Sequence, residues 1–466
     1  MTDPVDLTIT EALAAMRTGS LSCRDYVEAH IARSDAHQDL GAHVSWDWDA
    51  LRAQADQVDG SGRAGEDLAG VPLVLKDNIN TKTLTTSAAT GALKDRIAGV
   101  DAPVAAALFR HGALLGAKGN MHELAFGITS NNAVTGAARN PFDPRMIPGG
   151  SSGGVATSVS ARMMPGGIGT DTGASVRLPA ALCGIVGFRP TVGRYSGKGI
   201  VPISRTRDTA GPMTQSVADA ILLDAAMSDK KAPDTASLTG VRVGVPRSYF
   251  YDNLEPGVGT VAEATLTAVS EAGATLVDLD LPDVAALNDA VGFPVALFEF
   301  KEDLARYLSD HGLDLSLHDV FAGVGSPDVQ GVFGSQLGEE AIPEEVYRQA
   351  IEVGRPKLQN AFAACFETNA ISALLFPTAP LTARPVGDDE TVELNGEQVP
   401  TFPTFIRNTD PASNAGIPGI SLPAGLAPNG LPVGMELEGP QGSDEALLAI
   451  AQAVEAVLRF DAKPSL

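Results

Sequence analysis

The apolar segment VPLVL at residues 71–75 runs directly into Lys76, and three similar runs follow at GALLGAK (112–118), GIVGF (184–188) and GIVPI (199–203). Each is too short for a helix and is bounded by glycine-rich or polar turns and by stretches of helical spacing. Runs that stay apolar on consecutive residues suit strands covered on both faces. The pattern therefore predicts an α/β fold, a mixed central β-sheet with helices on both faces.

Toward the N-terminus, Thr8 with Glu11 makes a capping box ahead of EALAAMRTG, and Ser22 with Asp25 opens CRDYVEAHIARSDAH. Residues 1–69 are thus expected to form a helical arm. On the other side, Pro148 to Gly211 is dense in Gly, Ser, Thr and Pro. Alanine and branched residues are threaded through it, so it reads as ordered core loops rather than linker. TQSVADAILLDAAM and VAEATLTAVSEAG read as helices, GVRVGVP, TLVDLDL, ALLFPTAP and GISLPAG as strands and turns, and SDEALLAIAQAVEAVL as a capped amphipathic helix. Residues 283–370 read as mostly helical. With no solenoid repeat and no clean linker, a single domain over 1–466 is expected, with its core in 70–227 and a helical insertion at 283–370.

The chain has 466 residues, 44% hydrophobic and 19% charged, enough to bury a large core, which excludes disorder and a disulfide miniprotein. Acidic residues outnumber basic ones 57 to 33, a net charge of −24. Such a surface repels phosphate backbones and anionic lipid, so neither nucleic acid nor membrane is expected as a direct partner. The opening MTDPVDLTITEALAAM carries an acidic residue where an export signal would carry basic ones, and no uncharged apolar stretch is long enough to span a bilayer. Cys23, Cys183 and Cys365 are widely separated and lack metal-ligand spacing, as expected of core thiols in a reducing cytoplasm.

Three features could carry chemistry. IPGGSSGGVATSV (147–159) fits the G-x-S-x-G elbow of α/β-hydrolases, but the preceding ARNPFDPRMIP is turn-like rather than a strand, and no histidine follows His318. Lys76 ends an apolar run, where a buried ammonium is costly unless paired or neutral. GTDTGASVRLPA (169–180) places Ser175 after small residues whose backbone N–H groups could converge on one cavity. Taken singly, the lysine reads as emerging into solvent and the serine as part of an ordinary turn. Together they form a constellation that chance rarely supplies.

From GVPLVLKDNI through NMHELAFGITSNN, RNPFDPRMIPGGSSGG, GTDTGASVRLPAALCGIVGFRPT and RDTAGPMTQSVADA to NAGIPGISLPAG, the chain resembles the amidase signature family. The resemblance implies a Ser-Ser-Lys triad with Ser175 as nucleophile, Ser151 as bridging serine after a cis Gly150-Ser151 peptide, and Lys76 as terminal base. It also implies oxyanion donors at the backbone N–H groups of Thr172, Gly173, Ala174 and Ser175, and substrate contacts at Ala125 and Gly127 in the 124–130 loop. No metal and no cofactor is implied. Lysine can act as such a base only when neutral, which desolvation at the end of an apolar strand favours.

Two positions depart from the family pattern. Ala174 stands where glycine is usual, so residue 174 is expected at negative φ, since alanine at positive φ costs about 1–2 kcal/mol. Ala117-Lys118-Gly119-Asn120 stands where relatives have Gly-Lys-Thr-Asn, and Lys118 is read as structural. Asp171 and Arg177 are read as a pair clamping the Ser175 turn, and His122 as a packed or hydrogen-bonding histidine. Within the family, NMHELAFGITSNN, GRYSGKGIVPISRTRDTAGPM and SVADAILLDA look closest to indoleacetamide and mandelamide hydrolases. That likeness implies a small-molecule primary amide of an arylacetic acid as substrate and leaves room for a homodimer. The alternative is the glutaminase half, the A subunit, of a glutamyl-tRNA amidotransferase. A scaffold without catalysis is disfavoured because all three triad positions are present.

Overall fold

The apolar run that ends at Lys76 forms β2 of the fold, Pro72–Lys76, with all five residues buried. The computed structural model describes residues 3–61 and 66–466; residues 1–2 and 62–65 of the expected N-terminal arm lie outside the described residues. In chain order the strands are β1 (His43–Trp46), β2, β3 (Leu114–Gly119), β4 (Gly166–Asp171), β5 (Val186–Arg189), β6 (Thr209–Thr214), β7 (Arg242–Pro246), β8 (Thr275–Leu279), β9 (Ala373–Pro377), β10 (Thr391–Leu394), β11 (Glu397–Pro400), β12 (Gly419–Leu426) and β13 (Pro432–Glu438). Eleven of them make one sheet in the order β1-β3-β2-β4-β6-β5-β12-β13-β9-β7-β8, while β10 and β11 form a separate hairpin. β2 runs parallel to both β3 and β4, β6 and β5 are antiparallel to their neighbours, and β7 is parallel to β8 and β9. The sheet is mixed.

Consecutive apolar residues on β2 serve opposite faces. Leu73 and Leu75 join Ile9, Tyr26 and Val104 on one side, whereas Val74 packs with Val155, Val159 and Met164 on the other. β9 repeats the pattern, with Leu375 in a cluster containing Leu266 and Leu448 and Leu374 and Phe376 in one containing Leu358 and Phe362. Helices thus cover both faces. The stretch 283–370 is a run of helices, among them Gly292–Asp310, Pro327–Leu337 and Arg355–Asn369. It closes over the 88–125 region through Phe300, Leu304, Val320 and Phe333. Among the described residues, no helix is long and apolar enough to cross a membrane.

Thr8 and Glu11 form the expected capping box, and Ser22 accepts from the Asp25 N–H. Four expectations need correction. The N-terminal arm also supplies β1, which pairs antiparallel with β3 at the sheet edge. GIVPI is not a strand: Ile200 makes one isolated bridge to Ile79, and Pro202, lacking an N–H, cannot extend a ladder. Ser443 makes no side-chain cap to the last helix. The 148–211 segment holds regular structure rather than loops alone, including β4, β5, β6 and the helices Gly153–Ser160 and Arg177–Cys183.

Close packing explains why β4 looked like loop. A Cβ at Gly167 would come 2.5 Å from Val74 Cγ1 and 2.8 Å from Val155 Cγ1, so helix and strand approach through the missing side chain. A Cβ at Gly259, inside the Pro256–Glu271 helix, would meet nothing within 4 Å. Gly167→Ala should therefore destabilise by about 1–3 kcal/mol through overpacking. Gly259→Ala should stabilise by about 0.5–1 kcal/mol through helix propensity. Urea unfolding midpoints of the two variants check the opposite signs.

Candidate active site

Lys76 leaves the C-terminal end of β2 fully buried, and burial lowers its pKa to about 7 despite the opposing charges of Asp171 and Asp208. Its Nζ donates to Ser151 Oγ at 2.8 Å, to Thr170 Oγ1 at 2.8 Å and to the Thr170 carbonyl at 3.3 Å. These direct contacts are all to uncharged acceptors, so desolvation outweighs the charges of Asp171 and Asp208, neither of which is hydrogen-bonded to the amine. Ser151 follows a cis Gly150-Ser151 peptide and stands just before the Gly153–Ser160 helix. Its carbonyl accepts the His122 N–H at 3.1 Å.

Ser175 lies between the end of β4 and the Arg177–Cys183 helix. It is 7% exposed and opens into a cavity of about 310 Å³. Among the described residues, its Oγ makes no hydrogen bond with another protein group, to Ser151 included. Thr172, Gly173, Ala174 and Ser175 all line the cavity, and none of their N–H groups donates to a backbone acceptor in the surrounding turns. Ala174 is not among the residues with positive φ, as expected.

The turn is held by buried charge. Arg177 reaches Asp171 with Nε at 3.1 Å and Nη2 at 3.2 Å, and Nη2 also donates to the Gly173 carbonyl at 3.2 Å. Arg189 Nη1 donates to Asp171 Oδ1 at 2.9 Å, and Asp171 Oδ2 accepts the Val176 N–H at 3.1 Å. Burial alone would raise the Asp171 pKa, but Arg177 and Arg189 overbalance it and hold the carboxyl well below its usual range. The clamp expected of Asp171 and Arg177 is present.

Ala125 and Gly127 line the same cavity, beside Phe126, Ile128, Phe293, Phe402 and Ile406. Leu124 and Ala125 take left-handed backbone, with φ of 51° and 64°. Phe293, at 53% exposure, faces Phe402 with ring centroids 6.0 Å apart. His122 borders the cavity; its Nδ1 accepts the Ser130 N–H at 3.2 Å, and its Nε2 lies 2.9 Å from Asp328 Oδ2. Lys118 sits apart, donating to the Thr85 carbonyl at 2.8 Å and Thr86 Oγ1 at 3.0 Å and lying 3.4 Å from Asp77. Burial lowers its pKa to about 8, with Asp77 opposing. Among the described residues, no group of three or more His, Cys, Asp and Glu is placed to hold a metal.

Sequence reasoning did not single out Thr170, Arg207, Asp208, Phe293 or Phe402. Arg207 and Asp208 lie inside the RDTAG motif, which was their only signal. Phe293 and Phe402 come from an insertion helix and the segment after the hairpin, and nothing local pairs them.

The family profile described as Amidase matches residues 25–448. The chain belongs to the amidase family. It is a hydrolase acting on carbon–nitrogen bonds. It is 48% identical to an indoleacetamide hydrolase of Rhizobium radiobacter over 97% of both chains. It is 40% identical to a mandelamide hydrolase of Pseudomonas putida, covering 97% of this chain and 92% of the other. The solved peptide amidase of Stenotrophomonas maltophilia superposes with a TM-score of 0.82 at 29% identity, over 98% of both chains.

Asp171→Asn would leave Arg177 and Arg189 buried with less compensating charge. It should destabilise this amidase by about 3–5 kcal/mol. Denaturant unfolding measures that loss, and a cost under about 1 kcal/mol would show the clamp to be dispensable.

Proposed function

We propose that this amidase hydrolyses the primary amide of an aryl- or indolyl-acetic acid to carboxylate and ammonia through an acyl-enzyme on Ser175. The observation that carries the reading is Lys76, buried, lowered to about pKa 7 and 2.8 Å from Ser151 Oγ. Ser175, the nucleophile expected from the sequence, lines a cavity of about 310 Å³. The largely apolar wall formed by Phe126, Ile128, Phe293, Phe402 and Ile406 suits an aromatic acyl group better than the polar side chain of glutamine.

In the proposed mechanism, Ser175 Oγ attacks the amide carbon while its proton passes to Ser151 Oγ and the Ser151 proton passes to neutral Lys76. The N–H groups of residues 172–175 stabilise the oxyanion. The relay then runs in reverse, protonating the amine as the carbon–nitrogen bond breaks and ammonia departs. Water, deprotonated by the same relay, cleaves the ester. The Ser175 to Ser151 hydrogen bond forms in the substrate complex, as catalytic hydrogen bonds commonly tighten there. We place the enzyme in the cytoplasm, supported by three buried and unpaired cysteines.

Ammonia release from indoleacetamide, mandelamide and glutamine, measured side by side on the lone chain, tests the substrate class. Arylacetamide turnover is expected; glutamine turnover that depends on a second subunit would transfer the chain to the amidotransferase reading. A fluorophosphonate should label Ser175, and Ser151→Ala should lower kcat by about 10²–10⁴-fold. Activity should be unchanged by chelators.

The folded Lys76 pKa lies below that of free lysine, so the neutral base is present above about pH 7 and lost on acidification through that value. The kcat/KM profile should accordingly rise from acid toward alkaline pH across this region. Lys76→Arg should remain inactive because a guanidinium stays charged. Near-normal turnover by Lys76→Arg, or loss of the acid limb on mutating His122 instead, would end the Ser-Ser-Lys reading.

A further inference from the structure

β6 runs antiparallel to β4 in a register that sets Thr209 against Asp171, so the residues just outside the two strands, Asp208 and Thr172, meet. Thr172 Oγ1 donates to Asp208 Oδ1 at 2.7 Å. The other carboxylate oxygen accepts the N–H groups of Ile203 at 2.8 Å and Ser204 at 2.9 Å. Arg207 takes the opposite side of Thr172, its Nε donating to the carbonyl at 3.1 Å, and is anchored by Asp410 at 2.5 Å and by the Gly292 carbonyl at 2.8 Å. Consecutive residues of one motif thus grip the first member of the row of N–H groups by its hydroxyl and its carbonyl.

Lys76 Nζ bonds the Thr170 hydroxyl and Asp208 bonds the Thr172 hydroxyl two residues further on, so the two groups meet the same edge of the β4 end. Asp171 and Asp208 are the carboxylates whose charge opposes the desolvation of Lys76. Asp171 is matched by Arg177 and Arg189. Asp208 is hydrogen-bonded only to a hydroxyl and backbone N–H groups, and among the described residues no cation forms an ion pair with it. It borders a second cavity of about 660 Å³ whose ionisable lining includes Lys198, Arg205, Asp303, Arg306, Asp310 and His311.

We propose that Asp208 is a positioning residue for acyl transfer: it holds Thr172 at the head of the N–H row and sets an unpaired negative charge beside Lys76. Burial raises its own pKa to about 6, with the Thr172, Ser204 and Ile203 hydrogen bonds opposing and Asp303 adding to the rise. Above that pH it is ionised and favours protonated Lys76. The field of Asp208 therefore counteracts the desolvation of the base and keeps its titration near neutrality, while the same carboxylate fixes the oxyanion turn. This rests on the base role proposed for Lys76.

The test follows Lys76 directly, by NMR of enzyme isotopically labelled at lysine Cε, with the signal assigned by its absence in Lys76→Arg. It is run in parallel with kcat/KM against pH on indoleacetamide. Asp208→Asn can keep the hydrogen bonds with its amide while losing the charge. It should move both the Lys76 titration and the acid limb to lower pH by about one unit, the scale of one charge across a few side chains at an effective dielectric of about 20. Thr172→Val should leave the limb in place and lower kcat about tenfold with KM within about twofold. Asp208→Ser removes the same charge should the asparagine variant not fold. A Lys76 titration unmoved in the charge-removed enzyme, or wild-type kcat in Thr172→Val, overturns the proposal. A titration that moves while the acid limb stays fixed would instead sink the base role of Lys76 and leave the field of Asp208 upheld.

Discussion

The Asp171 carboxylate is the point at which β4, β5 and the Ser175 turn are tied together. It closes the end of β4, receives the Val176 N–H across the Ser175 turn, and binds both Arg177 from the following helix and Arg189 from β5. Arg177 extends the cluster to Glu436 of β13 at 2.7 Å and to Ser413 at 2.7 Å. Buried ion pairs owe much of their formation cost to desolvation, so such a cluster is weak evidence of extra stability but severe on the loss of one member. Its effect is geometric. A turn made of Thr172, Gly173, Ala174 and Ser175 has little side-chain bulk of its own, and the surrounding charges hold it in one shape.

Around that turn, the protein resolves two opposed demands on Lys76. In the base role proposed for it, the amine must be dry enough to lose its proton near neutral pH, and a fully polar-starved ammonium would be too costly whenever the proton returns. Apolar neighbours on β2 supply the first condition. Ser151 and Thr170 supply uncharged hydrogen-bond acceptors for the second. The cavity that Ser175 lines carries aromatic side chains at Phe293 and Phe402, the wall on which the proposed acyl group would rest.

Much of this was legible in the chain itself. Consecutive apolar residues at 71–75 announced a strand covered on both faces, because neither Leu73 nor Val74 had a solvated side to face. The burial of Lys76 and its contact with Ser151 were foreshadowed by their motifs, as the catalytic roles proposed for them and Ser175 were, and the burial of Cys23, Cys183 and Cys365 by their isolation. Where local signals misled, packing outweighed propensity. Gly167 and its neighbours looked like loop because glycine has poor intrinsic strand preference, yet its missing Cβ is what lets the Gly153–Ser160 helix and β2 close on β4. The serine before the last helix looked like a cap, but its side chain makes no cap hydrogen bond. GIVPI carried a strand's composition with a proline that stops the ladder.

What the sequence by itself determined is the inventory: which residue types can attack, relay and accept a proton, and which runs must be buried to make a sheet. Those are properties of short segments, set by side-chain chemistry and periodicity. Tertiary structure decided the distances. Lys76 and Ser151 are 75 positions apart and Arg177 and Glu436 are 259 apart, and each pair meets only because the strand order and register bring them together. The same holds for Asp208 and Thr172, neighbours through the β4–β6 register alone. Long-range pairing of this kind has no local signature, because the energy that selects it comes from burying whole faces of the sheet rather than from any one residue.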